Sequence, residues 1–299
     1  MTSTAATGSA TRREIASQPE IWERVLAEAP EHSRLLPAPG EPVLFVGCGT
    51  SYYVGESYSR LRNSADLGRT RAAIASEIPY VDDDETLVVL SRSGTTSDVA
   101  DVIREHKANR STRVIGIVGE AGTPIAELCD HLILLDYADE ESVVQTRFAS
   151  SALLLLRASL GEDLSGLPDA ARAALEAPLP EPLPRHVVFL GHDWTIGVAQ
   201  EAALKCREAA GYWTEAYALM EYQHGPLAVA GEGSLVWCMT ETADFVSGPI
   251  RETGADVLVP DLDPLAQLVT AHRLAVALAH QQGRDPDHPR HLARSVQLH

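Results

Sequence analysis

At 299 residues and 45% hydrophobic content, the chain is long enough for one large or two modest α/β cores. A formal charge of −18, with 42 acidic residues against 24 Lys and Arg, excludes a nucleic-acid partner held by a basic surface. Any anionic ligand must be held by local dipoles and short hydrogen bonds, because the overall field opposes it. Cys48, Cys129, Cys206 and Cys238 lie far apart without a CxxC pair, so the sequence indicates neither a zinc site nor a disulfide framework. Met1 to Ala10 lacks an apolar signal core, and no run approaches the roughly 18 apolar residues of a membrane span. These features predict a cytoplasmic chain with no metal, no cofactor and no membrane partner.

Thr11-Arg12-Arg13-Glu14 has the form of a capping box, and Pro19 is expected to interrupt the helix it opens before that helix resumes to about Ala27. Residues 1–30 then form a helical N-terminal segment. From 31 to 162 strand and helix patterns alternate: strand 42–47, helix 50–62, strands 70–75 and 86–90, helix 96–107, strand 113–118, a short helix near 124–129, strand 132–136 and helix 145–160. Such alternation predicts a parallel sheet covered on both faces. Pro168, Pro178, Pro180, Pro182 and Pro184 mark 163–185 as a linker with room for one helix near 169–176. The pattern restarts over 186–299 with strand 187–190, a Gly191-His192-Asp193 turn, helix 195–210, strands 234–239 and 256–259, and helix 265–281 behind Asp263 and Pro264. Both halves run strand, glycine turn, helix, which predicts an internal duplication with one α/β layer structure in each half. The second half lacks the hydroxyl residues of the first.

Two apolar runs end in candidate phosphate sites. Pro42 to Val46 stops at Gly47-Cys48-Gly49-Thr50-Ser51, and Thr86 to Leu90 stops at Ser91-Arg92-Ser93-Gly94-Thr95-Thr96. Hydroxyls and backbone N–H groups at a helix N-terminus can hold a phosphate, although Ser and Thr are equally ordinary helix caps. Further along, Lys205 and Glu208 share a helix face, and His224 in Glu221-Tyr222-Gln223-His224-Gly225-Pro226 can join them to move protons beside a carbonyl. The bland alternative is a surface ion pair worth a few tenths of a kcal/mol. Tyr52 and Trp213 fit core or dimer packing, and the eleven histidines show no metal-ligand spacing.

In these motifs the chain resembles the SIS (sugar isomerase) family, in particular the isomerase half of glucosamine-6-phosphate synthase and its amino-sugar-phosphate deaminase and deglycase relatives. The matching residues are Glu14-Ile15, Gln18-Pro19, Gly47 to Ser51, and Ser91, Ser93, Gly94 and Thr96. Ala203-Leu204-Lys205 with Glu208, Glu215-Ala216-Tyr217 and His224-Gly225-Pro226-Leu227-Ala228 follow, and the tail matches at Pro289-Arg290 and Leu292 to Val296.

The resemblance implies two SIS-type subdomains and a homodimer with a shared active site acting on a phosphosugar. It implies that Ser51, Ser91, Ser93 and Thr96 bind the phosphate together with Arg92, which stands where the synthase has glutamine. It further implies that Glu208 moves the proton between C1 and C2, that His224 of another subunit assists ring opening, and that Lys205 supports them. Cys48, Gly49, Thr50, Val143, Gln145, Thr146, Ala293 and Arg294 become sugar-contacting candidates. Arg294 replaces a family lysine and, as a guanidinium, cannot act as a Schiff-base amine. Residue 2 is Thr2 and the matched region begins near Glu14, so glutamine-dependent synthesis is not expected. The implied activity is that of an amino-sugar-phosphate isomerase or deaminase. Its alternatives are a fructosamine-6-phosphate deglycase and a non-catalytic phosphosugar sensor.

Overall fold

The computed structural model describes residues 7–297. Two helices open the chain, α1 (Ser9–Ala16) and α2 (Gln18–His32). The capping box does not form: α1 begins at Ser9, the Thr11 hydroxyl donates to Asp287, and the Glu14 carboxylate accepts from the backbone of Glu141 and Ser142. Both residues are buried, and more distant donors and acceptors outcompete the local cap. The interruption expected at Pro19 is found: α1 ends at Ala16, Ser17 follows as its C-cap, and the helix resumes as α2 with Pro19 in its first turn, where the missing N–H has no helical partner to lose.

The chain then builds two compact units. One comprises Glu20–Glu140, Arg147–Gly166 and the tail from Ala293. Its elements are β1 (Val43–Gly47), α3 (Thr50–Ser64), β2 (Thr70–Ile74), β3 (Thr86–Ser91), α4 (Ser97–Asn109), β4 (Val114–Val118), α5 (Pro124–Leu128), β5 (His131–Leu134) and α6 (Arg147–Ala158). The five strands are all parallel, in the order β2-β1-β3-β4-β5. β1, β3 and β4 are buried at every position, as continuous Val, Ile and Leu runs in a doubly covered sheet must be. Leu44, Val46, Leu87, Val89 and Ile103 of α4 share one core beneath them. Trp22 of α2, fully buried, donates its indole N–H to Ser150 of α6 at 3.2 Å.

The other unit comprises the chain up to Pro19, Glu141–Thr146 and Leu167–Leu292. It holds α7 (Leu167–Glu176), β6 (His186–Gly191), α8 (Thr195–Ala210), β7 (Thr214–Ala218), β8 (Ser234–Cys238), α9 (Asp244–Glu252), β9 (Asp256–Leu258) and α10 (Pro264–Gln281). The sheet is again wholly parallel, ordered β7-β6-β8-β9. Asp263 caps α10 by accepting from the Leu265 N–H at 2.8 Å.

The expectation of parallel α/β layers in both halves is therefore met. β7 and α9 are absent from the sequence-level elements. β7 reads Thr-Glu-Ala-Tyr-Ala and is only half-buried on the edge of its sheet, while Pro249 breaks the apolar pattern of α9. The likeness of the two halves extends to detail: a Cβ on Gly47 would sit 2.6 Å from the Ser51 backbone, and one on Gly191 would sit 2.3 Å from the Thr195 backbone. In each half glycine lets the first strand approach the helix that follows it.

Candidate active site

In the first sheet the strand order reverses between β1 and β3. Ligands of open α/β sheets bind outside the carboxyl ends of strands at such a switch point. β1 delivers Cys48, Gly49, Thr50 and Ser51 to that place, and β3 delivers Ser91 to Thr96. Thr50 and Ser51 form the first turn of α3 and are each only 4% exposed. Cys48 is half-buried, and burial raises its thiol pKa.

The capping alternative fails here. Gly49 and Thr96 occupy the positions before α3 and α4, and neither supplies a side-chain cap. Instead the β3 loop is folded on itself: the Gly94 N–H donates to Ser91 Oγ at 3.2 Å, and Thr95 donates from N at 3.3 Å and from Oγ1 at 3.1 Å to Ser93 Oγ. Gly94 has φ +64°, and a Cβ there would strike Thr123 Oγ1, so the turn requires glycine.

Arg92 lies within this loop at 2% exposure, a buried cation in a chain of strong negative charge. Its Nη2 donates to the Arg294 carbonyl at 3.2 Å. The tail crosses the loop at two more points, where Thr95 Oγ1 and Ser295 Oγ share a hydrogen bond at 2.9 Å and the Ser97 N–H donates to the Val296 carbonyl at 3.3 Å. Arg294 itself forks onto Asp139 through Nη2, at 2.6 and 2.7 Å, and its Nη1 donates to the Glu140 carbonyl. The guanidinium is committed to anchoring the tail, while Ala293 beside it is exposed. The sequence offered no signal for Asp139 or Ser295 in these roles, since the pairings span 155 and 200 residues.

The second cluster stands on α8. Lys205, 1% exposed, reaches Glu208 at 2.5 Å and Glu201 at 3.3 Å. Glu201 is buried, whereas the Glu208 side chain keeps 23% exposure and can meet a ligand. Glu201 was missed at the sequence level, although its place four residues before Lys205 on one helix face was the available signal. Behind the cluster, His272 of α10 is 1% exposed and its pKa is pushed down to about 3, first by burial and then by Lys205. It therefore stays neutral, and its Nδ1 pairs with Gln18 at 3.4 Å.

Within this one chain, His224 makes no bond to this pair among the described residues. It ends a 3₁₀ turn (Glu221–His224) and lies exposed. Val143 and Gln145 are half-buried and Thr146 is 1% exposed, all in the segment that runs from β5 to α6. Gln145 Oε1 is buried without a hydrogen-bond partner. Tyr52 is half-buried, and Trp213, at 79% exposure, is not part of the core of this chain.

Residues 41–159 match the SIS domain family. The chain is 30% identical to a glutamine–fructose-6-phosphate aminotransferase [isomerizing] of Aeropyrum pernix, over 95% of its own length and 56% of that protein. The corresponding protein of Chlamydia trachomatis is 25% identical over 95% of this chain and 57% of its own length. The chain thus spans little more than half of these relatives. Among solved structures, glucosamine-6-phosphate deaminase of Thermotoga maritima superposes with a TM-score of 0.82 at 27% identity, covering 97% of this chain and all of that one. The C-terminal domain of glucosamine-fructose-6-phosphate aminotransferase from Francisella tularensis shares the fold, with a TM-score of 0.81 at 20% identity over 96% of this chain and 100% of its own. The chain carries an SIS domain with homology to the isomerizing aminotransferases. No helix of the described residues is long and apolar enough to cross a membrane.

Proposed function

We propose that this SIS-domain chain is an amino-sugar-phosphate isomerase and deaminase acting on a hexosamine 6-phosphate. The observation that carries the reading is the pair of hydroxyl-lined strand ends, neither helix closed by a side-chain cap, at the switch point of the first sheet, with the buried Arg92 among them. Ser51, Ser91, Ser93 and Thr96 take the phosphate oxygens, and Arg92 supplies the positive charge that the surface lacks. The deaminase similarity, which spans the whole of that structure, supports the reaction class.

In the open-chain sugar, Glu208 takes the proton from C2 and returns it to C1. The electron pair of the C2–H bond passes through an enolamine, and the product is a 2-imine with an alcohol at C1. Addition of water at C2 and loss of ammonia complete the conversion to a ketose phosphate. Lys205 holds Glu208 and offsets its charge, which suits a carboxylate that must cycle between protonation states. The imine nitrogen is the substrate's own, so Arg294 is not required as a covalent amine. His224 assists ring opening from a second subunit, in keeping with its exposure.

The test is an assay of ammonia release and ketose-phosphate formation over a panel of aminated sugar phosphates. Stoichiometric release of both supports the reading. Release of a larger amine from fructosamine 6-phosphates would assign a deglycase, and binding without turnover would assign a sensor.

A further inference from the structure

Glu14 is charged, 1% exposed and far in sequence from any residue given a chemical role, yet it is tied to the segment of sugar-contacting candidates. Its Oε1 accepts the N–H of Glu141 at 2.5 Å and that of Ser142 at 3.2 Å, and its Oε2 accepts the Ser142 hydroxyl. Ser142, 2% exposed, also contacts the Val144 carbonyl at 2.9 Å, which carries the link into the next residues. A buried carboxylate is tolerated only when its lone pairs are filled, and all three donors here come from two consecutive residues. The neighbouring surface pair, Arg13 with Glu141, is 60% and 75% exposed and adds little. Immediately beyond lie Val143, Gln145 with its buried, unpartnered Oε1, and Thr146.

We propose that Glu14 is a positioning residue that clamps Glu141 and Ser142 and thereby fixes Val143–Thr146 in the geometry that meets the sugar. This rests on the phosphosugar reading above. A carboxylate performs the task better than a neutral side chain because it accepts three hydrogen bonds at two oxygens without needing a donor in return. The clamp orients groups that contact substrate and touches no reacting atom, so its loss acts through misplacement, for which a shift of about 1 Å can cost on the order of 100-fold.

The experiment uses the full chain and the variants Glu14→Ala, Glu14→Gln and Ser142→Ala, with amide hydrogen exchange read at Val143–Thr146 and kinetics on the panel member that the unaltered protein turns over. In Glu14→Ala, exchange at Val143–Thr146 is expected to rise about tenfold or more and kcat/KM to fall about 10- to 100-fold. Glu14→Gln restores both to within about threefold, because its amide oxygen accepts the two N–H bonds and its NH₂ donates to the Ser142 oxygen. Unchanged exchange at Val143–Thr146 in Glu14→Ala overturns the clamp, and faster exchange with unchanged kcat/KM overturns its role toward substrate. Failure of Glu14→Gln to rescue a folded protein would show that the charge itself is used, which also overturns positioning. If Glu14→Ala does not fold, Ser142→Ala decides by the same two readouts, with about a threefold change in each expected from the loss of one bond. An unaltered protein that neither binds nor converts any phosphosugar would fail the functional reading itself, an outcome distinct from all of these.

Discussion

Lys205 Nζ lies 2.5 Å from Glu208 Oε2 inside α8, with a second carboxylate, Glu201, 3.3 Å away on the other side. A Lys–Glu pair three residues apart on a helix surface is worth a few tenths of a kcal/mol, but this lysine is 1% exposed. Burial changes what its removal does. Lys205→Met leaves Glu201 buried without its cation, and the expected loss of stability in urea unfolding is about 3–5 kcal/mol. Glu208→Gln keeps the shape and a partly exposed amide, so it is expected to cost far less stability while lowering turnover about 10²- to 10⁴-fold. Near-normal turnover in that variant would remove Glu208 from the chemistry.

Arg92 makes a different demand. On the proposed reading the buried Arg92 guanidinium holds the phosphate equally in ground and transition states, so Arg92→Gln is expected to raise KM for phosphorylated sugars about tenfold with kcat little altered. A variant that prefers phosphorylated over unphosphorylated sugar as strongly as the unaltered protein would place the phosphate elsewhere.

The contrast between these two sites shows what sequence patterns can carry. Lys205 and Glu208 are three residues apart on a continuous helix, so their meeting follows from helical spacing alone, and helix 195–210 is found at its predicted bounds. The β1 and β3 loops were legible because apolar runs ended in glycine and hydroxyl residues. The partners of Glu14, Arg294 and Thr95 were not legible, because each contact closes a loop of 127 residues or more and no local periodicity encodes such closure. The Glu14 misreading has the same origin: spacing suits a capping box, but capping is a local option that the donors of Glu141 and Ser142 outcompete.

The tail anchor is open to direct measurement. Asp139→Asn removes the bidentate acceptor of Arg294, and the contacts that follow in the chain, Ser295 on Thr95 and Val296 on Ser97, are then held by single hydrogen bonds. Amide exchange at Ser97 is expected to rise about tenfold or more, since the Val296 carbonyl that accepts its N–H is released. Exchange at Ser97 equal to that of the unaltered protein would mean the tail is held without Arg294.

His272 makes a prediction about acid. Its folded pKa of about 3 lies below the ordinary value of 6.5, so the unfolded chain binds a proton that the folded chain refuses. The stability this provides is complete above pH 6.5 and is lost as pH falls toward 3. Between those limits the histidine accounts for up to about 1.4 kcal/mol of stability per pH unit. Replacing it with leucine is expected to flatten the dependence of unfolding free energy on pH by about one proton between pH 6 and 4.5, above the range where most carboxylates titrate. An unaltered slope would mean that His272 is already protonated beside Lys205 in the folded protein.

The exposure of His224 bears on assembly. If His224 completes the Glu208 site of another subunit, Glu208→Gln and His224→Ala proteins, each inactive alone, should complement when their subunits exchange. One site of each mixed dimer then holds both native residues, and the other holds both lesions. Random pairing makes about half of the dimers mixed, so activity should return to roughly a quarter of the unaltered value in a two-fold dimer. The measurement pairs turnover with native mass spectrometry, which confirms that exchange took place. Exchange without recovery would put Glu208 and His224 to work within one chain.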